Sequence, residues 1–272
     1  MSLHWVVALL YLISSIIYFV HLWTKSNKIS TWGFNATAAG VLLHSITLIV
    51  LYSRGDSIAG GLDKSLYLFS WLIAIVYVVF SQLKFNVFII GAFVAPLVFI
   101  MTLPSVIVPQ GIIEHDPSLA NPWILVHIML VFLGEALFTV AFIAGVLYIF
   151  LEKKIKSKRM SSFFKKLPSL TTLDNLNHVC LIAGFPLLTI GLALGLLSAK
   201  EIWGELWSWG QKETWSLVTW FLYAVLIHGR LSSGWKGRRA ALGAVLGFGV
   251  ILFTFFVIGY FAPGQHNFLG SY

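Results

Sequence analysis

The chain has 272 residues, 58% of them hydrophobic and only 10% charged, against roughly one quarter charged in soluble domains. Removing the apolar runs leaves no soluble domain behind, and the net charge of +8 is distributed as a membrane-topology signal rather than as a nucleic-acid-binding face. The single cysteine, Cys180, lies inside an apolar run, which excludes a disulfide framework and a CxxC thiol pair for this chain acting alone.

Eight apolar stretches follow one another, at 3–23, 35–53, 65–81, 85–107, 123–151, 178–198, 213–231 and 239–262, each near the ~20 residues a spanning helix needs. The first is too long for a signal-peptide core and has no basic residue ahead of it, so it reads as a mature helix. The third is short. The fourth contains Pro96 and Pro104, which predict a kink or an early end.

With the N-terminus outside, the cytoplasmic loops hold Lys25, Lys28, Lys84, Lys153, Lys154, Lys156, Lys158, Arg159, Lys165, Lys166, Arg230, Lys236, Arg238 and Arg239, which is 14 of the 18 basic residues. The positive-inside rule then gives an all-α, polytopic bundle of eight transmembrane helices with both termini outside. Residues 1–272 form one domain, located in the cell membrane in contact with lipid. The basic loop between the fifth and sixth helices reads as a topology signal or a docking site for anionic lipid or a soluble partner. No phosphate-binding glycine loop or Ser/His/Asp spacing occurs, so no enzyme chemistry is required.

Eight histidines in so apolar a chain are candidates wherever they face a bundle interior, because imidazole is costly in hydrocarbon. His44 falls near the middle of the second helix and His228 toward the cytoplasmic end of the seventh. His127 lies one turn into the fifth helix from the outside, and His266 follows the eighth on the same side. His4, His21, His115 and His178 fall near helix ends or in a loop, where water satisfies them. Glu135 is the acid placed in mid-membrane.

The segment Trp203–Trp220 holds five tryptophans in eighteen residues. That much indole is held against lipid interface, protein core or a planar ligand. Indoles beside paired imidazoles suit haem, whose iron takes axial histidines, better than zinc, whose tighter ligand spacings are missing. Two pairings follow: His44 with His228 within the membrane, and His127 with His266 at the outer face.

The run Trp203-Gly204, Trp207, Trp209, Lys212-Glu213-Thr214-Trp215-Ser216-Leu217, Thr219-Trp220 and Tyr223-Ala224, followed by His228 and Arg230, resembles the tryptophan-rich WWD signature of the cytochrome c assembly family. Ser65–Trp71 resembles the segment after that family's second helix, and Leu125-Val126-His127-Ile128 its HV segment. The resemblance implies that the tryptophan loop, with Trp203, Trp207, Trp209 and Trp215 as the platform, presents non-covalently bound haem b on the outer side. It also implies an outer ligand pair, matched by His127 and His266, and an intramembrane ligand matched by His228, with His44 as its candidate partner.

Two departures stand out. Gly210-Gln211 replaces the family's Asp-Pro, and the His-Ser-Tyr end is spread over His266–Tyr272. With the short length, these point to the HemX-like branch, linked with restraining the level of glutamyl-tRNA reductase and hence with a haem-biosynthesis partner. The alternatives are a haem carrier acting with a cytochrome c assembly partner, and a non-haem structural subunit whose aromatic loop docks a neighbour.

Overall fold

A computed structural model describes residues 3–24, 26–83, 88–108, 121–158, 164–204, 206–207 and 209–254, without the side chains of Asn27, Lys165, Trp203 and Lys212. Its long elements are α1 (Leu3–Trp23), α2 (Asn27–Ser53), α3 (Leu62–Gln82), α4 (Gly91–Thr102), the short α5 (Pro104–Ile107), α6 (Pro122–Lys156), α7 (Leu170–Trp203), α8 (Gln211–Leu231) and α9 (Arg238–Leu252). Among the described residues, six segments are long and apolar enough to cross a membrane: Leu3–Trp23, Lys28–Ser53, Leu62–Gln82, Phe88–Ile107, Pro122–Lys156 and Leu170–Ile202. The protein is therefore a multi-pass, all-helical membrane protein. Helices α8 and α9 coincide with the seventh and eighth expected runs. The end of the eighth run and the region of His266 lie outside the described residues, as does His115.

Local chemistry sets the helix ends. Asn121 caps α6 by accepting from the Trp123 amide at 2.9 Å, and Pro122 occupies the first helical position, where its missing N–H costs nothing. Ser169 caps α7 by accepting from the Thr172 amide at 3.1 Å. Gly204, at φ +79°, stops α7 in the left-handed conformation that glycine adopts without strain. The proline expectation is met at Pro104: α4 ends at Thr102 and α5 restarts at the proline, while Pro96 stays within α4.

Two packed groups result. In the first, α1 lies on α2 and α4, and α3 on α2 and α4; in the second, α6 lies on α7 and α9, and α8 on α7 and α9. The groups meet along α3 and α6, where Phe69 and Phe132 touch at 5.4 Å between ring centroids. The α6–α7 pair is the tightest seam. On α6 it uses His127, Val131, Gly134, Phe138 and Ala141; on α7 it uses Asn177, Gly184, Leu188, Gly191 and Gly195. The alternating steps of three and four residues are those of a left-handed supercoiled pair. Glycine lets the backbones close: a Cβ at Gly134 would meet the Gly184 carbonyl oxygen at 2.9 Å, and one at Gly191 would meet the Val131 amide nitrogen at 2.9 Å.

Lys166, in the linker between α6 and α7, ties the groups together at one end. Its ammonium donates to the carbonyls of His21, Leu22 and Thr24 at 3.1, 2.7 and 2.7 Å, neutralising the negative end of α1. Lys166→Ala removes all three bonds, and because the group is only half-buried the expected loss is about 1 kcal/mol. A drop of a few degrees in the melting temperature of the detergent-purified protein checks it, with Lys166→Arg expected to retain most of the stability.

Candidate functional site

His127 lies five residues after Pro122 at the start of α6, which places it about 8 Å from that end of the helix. The end of α7 beside it runs on into the tryptophan loop and the start of α8, so His127 and the indoles share one end of the bundle. Its Nδ1 is 2.7 Å from the Gly191 carbonyl oxygen. A carbonyl only accepts, so Nδ1 carries the proton and Nε2 is left with a free lone pair. The ring also rests on Gly195, where an added Cβ would meet Cε1 at 2.6 Å and Nδ1 at 2.7 Å. The orientation is thus fixed twice, by a hydrogen bond and by a close glycine contact. Metal-ligating histidines are commonly held in this way, through the nitrogen that does not bind the metal.

The described indoles form a corner rather than a flat floor. Trp207 and Trp209 meet at 5.6 Å with their planes 81° apart, and Trp209 is 74% exposed at φ +57°. Trp215 tilts against Phe253 at 4.7 Å between centroids, and Trp220 donates from Nε1 to Thr189 Oγ1 at 2.9 Å, locking α8 to α7. The Trp203 side chain lies outside the described part.

Gly210-Gln211 now has a structural meaning. Gly210 is the N-cap of α8 and Gln211 its first residue, and the Glu213 carboxylate reaches back to accept from the Gly210 amide at 3.3 Å. An Asp-Pro pair at these two places is a standard cap and first residue for a helix. Glycine caps only a few tenths of a kcal/mol less well than aspartate. The departure alters a helix start, and no conclusion about haem capture follows from it.

The inner candidates are not brought together. His44 is 0% exposed. Tyr67 of α3 covers its ring at 3.9 Å between centroids, and the Tyr11 hydroxyl of α1 lies 3.4 Å from its Nδ1. On the other side of Tyr67, toward His4, a cavity of about 10 Å³ lined by His4, Lys64, Tyr67 and Ser105 is the size of one water molecule. His44 is thus enclosed between Tyr11 of α1 and Tyr67 of α3. His228, by contrast, is exposed on α8 in one stripe with Val218, Phe221 and Val225, on a helix that packs against α7 and α9. His4 differs from its expected watery setting: it is buried, edge-on to Tyr67 at 4.8 Å. His21 is also buried, with Nδ1 3.1 Å from the Ser26 carbonyl oxygen. Glu135 is half-buried one turn before Thr139, within electrostatic reach of the Tyr223 hydroxyl.

The chemistry at His127 suits haem iron: a neutral imidazole whose Nε2 lone pair is left unused, at the end of the bundle that carries the tryptophan loop. Among the described residues no cluster of three or more His, Cys, Asp and Glu could hold a bare metal ion. Sequence comparison bears on the same region. The chain matches the family described as "Cytochrome C assembly protein" over residues 59–266. It is 31% identical to the cytochrome c biogenesis protein CcsA of Guillardia theta, over 94% of this chain and 92% of the relative. To the protein of that name from Welwitschia mirabilis it is 30% identical, over 89% of this chain and 88% of the relative. A third, from Gloeobacter violaceus, is 45% identical over 97 residues, 36% of this chain and 29% of the relative. On this match, which takes in His127, the α6–α7 seam and the tryptophan loop together, the chain belongs to the cytochrome c assembly family.

Proposed function

We propose that this protein is the haem-handling membrane component of a cytochrome c assembly system, with a non-covalent haem b site beside the tryptophan loop. The observation that carries the reading is the bond from His127 Nδ1 to the Gly191 carbonyl, which presents Nε2 as an iron ligand. His266 is the proposed second ligand. Haem, when bound, supplies the iron macrocycle that cytochromes c carry; the protein's own residues hold and orient it. Trp207 and Trp209, 81° apart with Trp209 exposed, would supply apolar ring surface to hold a bound haem. His228 is the inner candidate that haem can approach from the lipid side, across the stripe formed by Val218, Phe221 and Val225. The eight-span topology, with this end outside the cell membrane, completes the proposal and supplies the direction in which haem is presented.

The regulatory, HemX-like alternative rests on short length, on Gly210-Gln211 and on the spread end His266–Tyr272, which lies outside the described residues. Relatives of matching length bear the cytochrome c biogenesis name, and Gly210 starts α8 much as aspartate does, so assembly is the better supported reading. The test is an absorbance spectrum of detergent-purified protein, oxidised and reduced. The wild type is expected to show a six-coordinate, bis-imidazole haem. His127→Ala is expected to lose that spectrum and to regain it with added imidazole, and deletion of the gene is expected to remove c-type cytochromes. A colourless wild type that takes up no added haem would overturn the reading and leave a docking role for the indoles.

A further inference from the structure

Helix α1 is polar on the inside. Trp5, Leu9, Ile13, Ile16, Phe19 and Val20 face outward and are exposed, while His4, Tyr11, Ser14, Ser15, Tyr18 and His21 face the bundle and are buried. On α1 the stripe runs about 21 Å from His4 to Tyr18 and about 25 Å to His21, at 1.5 Å per residue, against the roughly 30 Å hydrocarbon core of a bilayer. Its neighbours continue it. His44 of α2 lies 3.4 Å from the Tyr11 hydroxyl, Thr37 Oγ1 lies 2.6 Å from Ser14 Oγ, and the Tyr18 hydroxyl bonds the Tyr77 hydroxyl of α3, which donates to the Phe88 carbonyl at 3.1 Å. The two tyrosines of α1 are seated by glycines seven residues apart on α2. A Cβ at Gly40 would meet the Tyr11 ring at 2.8 Å, and one at Gly33 the Tyr18 ring at 3.0 Å.

We propose that this stripe, from His4 through His44 and Tyr11, past Ser14 and Thr37, to Tyr18 and Tyr77, is a proton path across the membrane. Simple helix-joining hydrogen bonds account for it less well. Such bonds contribute only about 0.6–2 kcal/mol each in a bilayer, and a set serving that purpose has its members paired. Here His44 Nε2 is fully buried with no partner, on the ring whose other nitrogen faces the Tyr11 hydroxyl. The mouth at the His4 end is equally polar: Asp63, buried, lies within electrostatic reach of His4, and Lys64 and Ser105 line the water-sized cavity there. Tyr67 links the first two levels, its ring 4.8 Å from that of His4 and 3.9 Å from that of His44, and from Tyr11 through Ser14 to Tyr18 the levels are about one helical turn apart, a step that a bridging water covers. Each imidazole or hydroxyl takes a proton on one edge and gives one from the other. One proton therefore leaves for each that enters, and only N–H and O–H bonds form and break. A pH difference or membrane potential drives the transfer. The path does not depend on haem, so it stands or falls separately from the site at His127.

The test uses the full-length protein, free of haem, in phosphatidylcholine–phosphatidylglycerol vesicles containing a pH-sensitive dye, with a valinomycin-imposed potassium potential. Acidification faster than in protein-free vesicles is expected for the wild type. Tyr11→Phe, Tyr18→Phe and His44→Gln are expected to fall to the protein-free rate, whereas Leu9→Ala, on the outward face of α1, conducts like the wild type. The Tyr→Phe variants keep the rings seated on Gly40 and Gly33, and monodisperse elution in detergent establishes that they are folded. Wild-type flux no faster than that of protein-free vesicles overturns the proposal, as do folded Tyr11→Phe and Tyr18→Phe variants that both conduct like the wild type.

Discussion

Asp174→Ala is expected to destabilise the protein by about 3 kcal/mol and to lower its melting temperature by roughly 6–12 °C. Arg230 of α8 is buried, and both of its terminal nitrogens donate to Asp174 Oδ1 at 3.0 Å. The same guanidinium donates to the Asp174 backbone carbonyl at 2.7 Å and to the Trp235 carbonyl at 3.2 Å, and the Gly237 amide donates to Asp174 Oδ1 at 3.0 Å. One carboxylate thus binds the start of α7, the end of α8 and the turn into α9. Truncation leaves a buried cation without its anion, which costs far more than an exposed pair would. Because Asp174 retains 18% of its side-chain exposure, water relieves part of the loss, and the lower end of the 3–5 kcal/mol range for broken buried pairs applies. Removing both charges, as in Asp174→Leu with Arg230→Met, is expected to recover most of it. Thermal unfolding in detergent decides the matter, and an unchanged midpoint for Asp174→Ala would show that the pair does not hold the helices together.

Gly195→Val is expected to weaken haem binding by about 10- to 100-fold, the usual effect of disturbing a group that orients a metal ligand, without removing the ligand itself. The new side chain enters the space of the His127 ring, whose Cε1 and Nδ1 lie 2.6 and 2.7 Å from the position of the added Cβ. The ring has to swing away from Gly191, and the bond that keeps the proton on Nδ1 is lost. Haem titration followed by absorbance gives the affinity, and a reduced-state spectrum shows whether the remaining complex is still six-coordinate. A variant with wild-type affinity and spectrum would mean that His127 is not held by the α7 glycines for this purpose.

Apolar runs made most of the helices legible, because hydrocarbon selects for them residue by residue. Helix ends were harder to read. The sixth run, expected at 178–198, proved to be α7 at Leu170–Trp203, since Asp174, Asn177, Lys200 and Glu201 are helical without being apolar. The third run looked short only because Asp63 and Lys64 sit in its first turn. At the site, His127 stood out as an imidazole at the right depth, but its orientation depends on a backbone carbonyl at Gly191, and carbonyls leave no trace in a sequence. His44 was legible as a buried histidine in mid-membrane. Which helix it faced was not, and Tyr11 and Tyr67 surround it where haem was expected. The polar face of α1 was written in its i, i+3 and i+4 spacing, yet the overall hydrophobicity of the run concealed it.

Lys166 fastens the α6–α7 linker of the second helix group onto the end of α1 in the first. At this end the groups are stapled together by three bonds to one ammonium. At the other lie Trp209, largely exposed, and a chain turn joining α7 to α8. The tie between the two groups and the proposed haem site therefore occupy opposite ends of the bundle, so a substitution at Lys166 is felt far from the indoles.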